Sequence, residues 1–389
     1  MTAAIVGWGH TPFGKFDNET VESLIVKAAT EALSHAGLAP GDVDEIVLGH
    51  FNAGFSRQDF TAALVLQASS QLRFKPATRV ENACATGSAA VHQAIKSIQA
   101  GSARKVLVVG VEQMTTTAAP EIATNLLRAS YLKEESDVQG GFAGLFGKVA
   151  TAYFEKYGDQ SDALAYIAAK NHRNGVSNPY AQMRRDLGFD FCRAAGDKNP
   201  YVAGPLKRTD CSMVSDGAAA LVITDMDTAR GMRRAVAFRS TAHVQDFLPM
   251  SARDVLKLEG CSVAWQKALT SAALRLEDLS FVETHDCFTI AELLEYEAMG
   301  LAPYGEGARV AEEGWTTMEG KLPVNPSGGL KSKGHPIGAT GVSMHAMSAM
   351  QLCEEMPGPI QVKNPRLGGV FNMGGVAVAN YVSVLERVR

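Results

Sequence analysis

The six cysteines of this 389-residue chain include no pair spaced as CxxC. Cys84, Cys192, Cys211, Cys261, Cys287 and Cys353 are dispersed, which argues against a disulfide framework and for a reducing compartment. There is no Lys/Arg-rich run, and a formal net charge of −4 is not that of a nucleic-acid binder. No apolar stretch reaches the roughly 18 residues a membrane span needs. The start, MTAAIVGWGH, lacks a basic n-region and a long apolar h-region, and the end, LERVR, is not an SKL-type tripeptide. These absences lead to the expectation of a cytoplasmic protein with no nucleic-acid partner and no membrane span.

What is present is apolar bulk. Hydrophobic residues make up 46% of the chain, enough for large cores, and the length implies two or three packed units. The first third alternates strand and helix signals. AAIVGWG reads as a strand. Val21, Leu24, Ile25, Ala28, Ala32 and Leu33 recur at helical spacing, with Gly37 as a C-cap. EIVLGH and KVLVVG are short apolar strands, and GSAAVHQAIKSIQAG between them is a helix closed by Gly101. This βαβ rhythm implies an α/β fold whose sheet is covered on both faces. From residue 115 to 205 the pattern becomes mostly helical and polar, as an insertion would. The second half echoes the first. DVDEIVLGH matches DLSFVETHD, DGAAALVITD matches GGVAVANYVSVLE, and CATGSAA is faintly repeated in GATGVSM, all in the same order. Two related halves are expected, with a site at the concave place where they meet. The boundaries read from the sequence are 1–114 with 206–245, then 115–205, then 246–389.

Four side chains could carry chemistry. Cys84 lies in ENACATGSAA, just before a helix, and is either a small buried filler or a displayed nucleophile. In VETHDCFT, His285 and Cys287 would share one face of a strand and Asp286 the other. His335 precedes Pro336 in the glycine-dense NPSGGLKSKGHPIGATG, and FNMGGVA places a Gly-Gly turn before the last strand. Each has a plain structural alternative: a satisfied histidine, a core cysteine, a tight loop. Two Cys and two His also suggest a zinc set, but no close-paired Cys or His spacing supports one.

Together these segments resemble the thiolase family. ENACATGSAA is similar to its nucleophile segment and GGLKSKGHPIGATG to its histidine loop. VETHDCFT resembles the HDCF segment of the sterol-carrier-protein-2 type, and DCSMVSDGAAA and KNHRNGVSNPYAQ resemble the same subgroup. The resemblance spans nearly the whole chain. It implies a layered αβαβα core built from two halves, with a mainly helical loop domain over the substrate. It departs in one place. Many thiolases carry a second catalytic Cys in the last glycine turn, where this chain has Asn372-Met373-Gly374; the subgroup implies that Cys287 supplies that thiol instead.

The resemblance implies an acyltransferase acting by ping-pong chemistry on acyl-CoA, with CoA as substrate and product, no cofactor and no metal. Cys84 would carry the acyl group, its pKa lowered by the helix start, with His335 as its base. Cys287 would move the α-proton. His335 and His285 would hold the enolate oxygen, and the N–H groups of Cys84 and Gly374 the tetrahedral oxyanion. Leu145, Phe146 and Gly147 would line the acyl pocket. The family further implies a homodimer or tetramer. Two other functions compete: a decarboxylating ketosynthase-like enzyme, for which Cys287 is superfluous, and a thiolase-like aldolase or binding partner that has lost thiolysis.

Overall fold

The computed structural model describes residues 2–389. Its strands are β1 (Ala3–His10), β2 (Glu45–Gly49), β3 (Ala77–Val80), β4 (Lys105–Glu112), β5 (Tyr201–Ala203), β6 (Leu206–Lys207), β7 (Gly217–Asp225), β8 (Val236–Gln245), β9 (Phe281–Glu283), β10 (Leu367–Gly374) and β11 (Ala379–Arg387). The pair β5–β6 is a separate hairpin. The other nine run in the order β3-β2-β4-β7-β1-β8-β11-β10-β9.

That order contains a duplication. Reading inward, β2-β4-β7-β1 is matched by β9-β10-β11-β8. The first pair is parallel in each half, β2 with β4 and β9 with β10, and the next two pairings are antiparallel in each. Even the place of β3 has a remnant, a parallel bridge from Val282 to Val324. The halves join where β1 and β8 pair over two residues. β8 pairs with β11 over its whole length and stands where β1 stands in the first half. The topology therefore groups 236–245 with the second half, not with the first as the sequence boundary at 245 had it.

Local chemistry explains the elements that flank this sheet. The helix Val21–Ala36 starts with a reciprocal cap between Thr20 and Ser23 and stops at Gly37 with φ 67°. The helices Thr86–Gln99 and Ile337–Leu352 cross at the centre of the molecule. A Cβ on Gly87 would come within 2.6 Å of Val342 N, and one on Gly341 within 2.2 Å of Ser88 N. The two ATG echoes of the sequence are thus the point where the helices touch, and glycine is what permits it. Every residue of Ile337–Leu352 is buried, which explains why that helix has no polar face.

The insertion lies between β4 and β7. It consists of the helices Ala119–Leu127, Leu132–Glu135, Gly141–Tyr157, Ser161–Gly175 and Gly188–Arg193 with the β5–β6 hairpin. Buried polar bonds tie it to the second half. Asn171 Nδ2 donates to Asp286 at 2.7 Å and to Glu292 at 2.6 Å, and Asn178 Nδ2 donates to Ser327 O at 2.8 Å. Among the described residues no helix is long and apolar enough to cross a membrane.

Candidate active site

Four loops meet where the two central helices begin. Cys84 stands two residues before Thr86–Gln99, after Ala83, whose φ of 49° is rare for a side chain with a Cβ. Asn82 N donates to Thr86 Oγ1 at 2.8 Å and pins this turn. His335 precedes the second helix, and its N–H donates to Ser215 Oγ at 3.0 Å. The HDC segment does not lie on a strand: β9 ends at Glu283. Thr284 N donates to Asn325 Oδ1 at 2.8 Å, and Asp286 turns away to accept from Leu330 N at 2.6 Å and Lys331 N at 3.1 Å. These bonds bend 284–288 into a loop. The expectation that Asp286 opposes its neighbours holds, though a turn rather than a pleat arranges it.

The sulfur of Cys84 and one ring nitrogen each of His285 and His335 all lie within 4.8 Å of one another. The imidazole rings are 5.1 Å apart at an interplanar angle of 81°. The outer nitrogens are occupied: His285 Nδ1 meets Asn372 Nδ2 at 2.9 Å, and His335 Nδ1 meets Thr340 Oγ1 at 2.6 Å. Both Nε2 atoms are buried without a protein partner, free for a substrate or, by donor type, for a metal ion. Cys84, Cys287 and His335 line one cavity of about 300 Å³, which Cys211 also borders. A larger cleft of about 490 Å³, beside Lys170 and Met318, contains none of these groups.

Electrostatics differ from the sequence expectation. The helix start was to lower the Cys84 pKa. Burial outweighs it and pushes the thiol up to about 12, although the N–H groups of Gly375 and Cys84 itself pull the other way. Burial also takes His335 down to about 3, with Lys333 adding to the effect. At neutral pH the pair is therefore thiol and neutral imidazole, and the proton moves only as the sulfur attacks. In the free protein, iodoacetamide alkylation of Cys84 is expected to keep rising to about pH 10. A plateau near pH 7 would show a preformed thiolate instead. Burial likewise raises Cys287 well above its ordinary value, and the nearby Cys84 adds to this.

One expectation shifts position. The N–H of Gly375, next to Gly374 in the same turn, is aimed at the Cys84 sulfur itself. Gly374 is needed for space, since a Cβ there would come within 2.4 Å of Asn82 O. Leu145, Phe146 and Gly147 do not line the cavity. Leu145 and Phe146 are core residues, Phe146 stacking at 4.5 Å behind Phe288, and Gly147 faces Ala203 of the hairpin. Only the first turn of Gly141–Tyr157 reaches the cavity, through Phe142 and Ala143. Most of the remaining apolar wall comes from Ala119, Ile122, Ala123 and Leu126 with Met114, Met213, Val214 and Phe288.

Residues 3–187 match the family described as Thiolase, N-terminal domain, and residues 242–387 match Thiolase C-terminal domain-like. Acetyl-CoA acetyltransferase of Methanothermobacter thermautotrophicus is 33% identical over 99% of both chains. The chain belongs to the thiolase family. Human sterol carrier protein 2 is 32% identical over 95% of this chain and 69% of its own length. A solved structure described as Ltp2-ChsH2(DUF35) aldolase superposes with a TM-score of 0.84 at 21% identity, covering 100% of this chain and 98% of that one, and shares the fold. In this thiolase, Thr340, Gly375 and Asn372 complete the site's geometry. The Gly374-Gly375 turn stands out in the sequence, Thr340 does not, and Asn372 is visible there only as a missing cysteine.

Proposed function

We propose that this thiolase is an acyl-CoA acyltransferase that makes or cleaves 3-ketoacyl-CoA through an acyl-Cys84 intermediate. The observation that carries the reading is the convergence of Cys84 with two imidazoles, each with a free Nε2, beside a second thiol in the same cavity. In the cleavage direction the Cys84 sulfur attacks the 3-keto carbon while His335 takes its proton. The C2–C3 bond breaks, and its electron pair leaves as the enolate of acetyl-CoA. Cys287 delivers a proton to C2. Free CoA then attacks acyl-Cys84 as Cys287 takes its thiol proton, the Cys84 sulfur leaves and recovers the proton held by His335, and the shortened acyl-CoA departs. The N–H groups of Cys84 and Gly374 hold the tetrahedral oxyanion, and the imidazoles face the enolate oxygen. The same reading carries a cytoplasmic homodimer or homotetramer with no added cofactor.

A ketosynthase would have no use for Cys287, yet that thiol borders the cavity. An aldolase would release its product without consuming CoA. The test is a medium-chain 3-ketoacyl-CoA supplied with CoA: one CoA should disappear for each pair of thioesters formed. Cleavage without CoA uptake, or turnover of malonyl-thioesters alone, contradicts the proposal. The apolar wall adds a second expectation. Ala143→Phe should lower kcat/KM for long acyl chains by about tenfold or more and leave acetoacetyl-CoA nearly unchanged. Equal loss on both would place the acyl tail elsewhere.

A further inference from the structure

Asn372, near the end of β10, makes two bonds with one atom. Its Nδ2 donates to the main-chain oxygen of Cys84 at 3.1 Å and lies 2.9 Å from Nδ1 of His285. A carbonyl oxygen only accepts, so the atom facing it must be the amide nitrogen and not the amide oxygen. That nitrogen has no acceptor capacity. Its second hydrogen must therefore point at His285 Nδ1, which must be the bare nitrogen of the ring. The ring proton then sits on Nε2, the atom left buried and unpartnered in the site.

His335 is arranged the opposite way. Thr340 Oγ1 donates to Pro336 O at 3.0 Å and meets His335 Nδ1 at 2.6 Å. One hydroxyl has one hydrogen, so both contacts are hydrogen bonds only if His335 carries its proton on Nδ1. Its Nε2 then presents a lone pair. Two imidazoles 5.1 Å apart thus show the site opposite polarities, one a donor and one an acceptor.

We propose that Asn372 is a positioning residue that holds His285 in its Nε2–H form, making it a standing donor to the enolate oxygen and leaving His335 as the only imidazole able to take the Cys84 proton. Asn372 Oδ1 has no partner and sits over Gly341, where a Cβ would come within 2.4 Å. The tautomer assignment stands on hydrogen bonding alone; the identity of the oxyanion rests on the thiolase reading above.

The experiment is nitrogen-15 NMR of protein labelled at histidine, with the His285 signals assigned from their loss in His285→Ala. Wild type is expected to show His285 protonated at Nε2. Asn372→Asp, which offers an acceptor of the same shape, is expected to move that proton to Nδ1. It should slow carbon–carbon bond formation by about 100-fold or more, the effect of losing one oxyanion donor. Acetylation of Cys84 should suffer far less. Asn372→Ala, without the buried charge, is expected to show a mixture of tautomers and an intermediate rate. Wild-type protonation at Nδ1 overturns the proposal whatever the activity. So does a switched tautomer with condensation undiminished. Failure of wild type to acylate Cys84, with His285 protonated at Nε2, would instead remove the thiolase chemistry while leaving the tautomer assignment intact.

Discussion

Cys84→Ala is expected to lose acyl transfer by about 10⁶-fold, the scale seen when a hydrolase loses its nucleophile. Of the three thiols that border the cavity, Cys84 is the one grouped with both imidazoles within 4.8 Å. The turn at Ala83 and the N–H groups of Gly375 and Cys84 converge on one sulfur. Cys211 borders the same space, but its Sγ is spent on Lys207 O at 3.5 Å. The fold should survive the change, because alanine preserves the Cβ and removes only one atom from a site with open space beside it. Exchange of labelled CoA into acetyl-CoA reads the activity, and thermal melting reads the fold. Cys211→Ala should leave the exchange nearly intact. Exchange that persists in Cys84→Ala and disappears in Cys211→Ala would reassign the nucleophile.

Cys287→Ala is expected to separate the half-reactions. Acetyl-Cys84 should still form, because His335 and the two main-chain N–H groups serve that step. Proton movement at the α-carbon should slow by roughly 10²–10⁴-fold, the range for losing a positioned acid or base. The thiol is suited to shuttling a proton and not to storing charge: burial and the neighbouring Cys84 hold its pKa well above the ordinary value. It ionises only when the carbon acid beside it exchanges a proton with it. In heavy water, wild type should exchange deuterium into the acetyl group of acetyl-CoA, and Cys287→Ala should not. Unchanged exchange in the variant would place the second base elsewhere, with His335 as the remaining candidate.

Much of this site was legible because the chemistry needs particular residue types near particular turns. Cys84 before a helix, His335 among glycines and the HDC triplet could all be picked out by residue type and setting. The duplicated halves were legible as faint echoes, and the sheet order bears them out strand by strand. Other features depend on distance and burial, which spacing does not encode. The lowered thiol pKa was argued from a helix start, whereas desolvation decides the sign. His285 and Cys287 were placed on a strand, but Asn325 and the two main-chain donors to Asp286 bend that segment into a loop. Leu145 and Phe146 were assigned to the pocket by analogy, and one helical turn separates them from it. The boundary at 245 put β8 in the first half, yet its long pairing is with β11. Asn372 was visible only as a missing cysteine; its bonds to Cys84 and His285 span 288 and 87 residues of sequence.

The central claim is that Cys84 carries the acyl group. Brief incubation with acetyl-CoA followed by mass spectrometry of the intact protein and its peptides tests it directly. One acetyl group is expected on the peptide containing Cys84, removed when free CoA is added. An unmodified Cys84 in protein that binds CoA, or an acetyl group on Cys211 or Cys287 instead, would contradict the account.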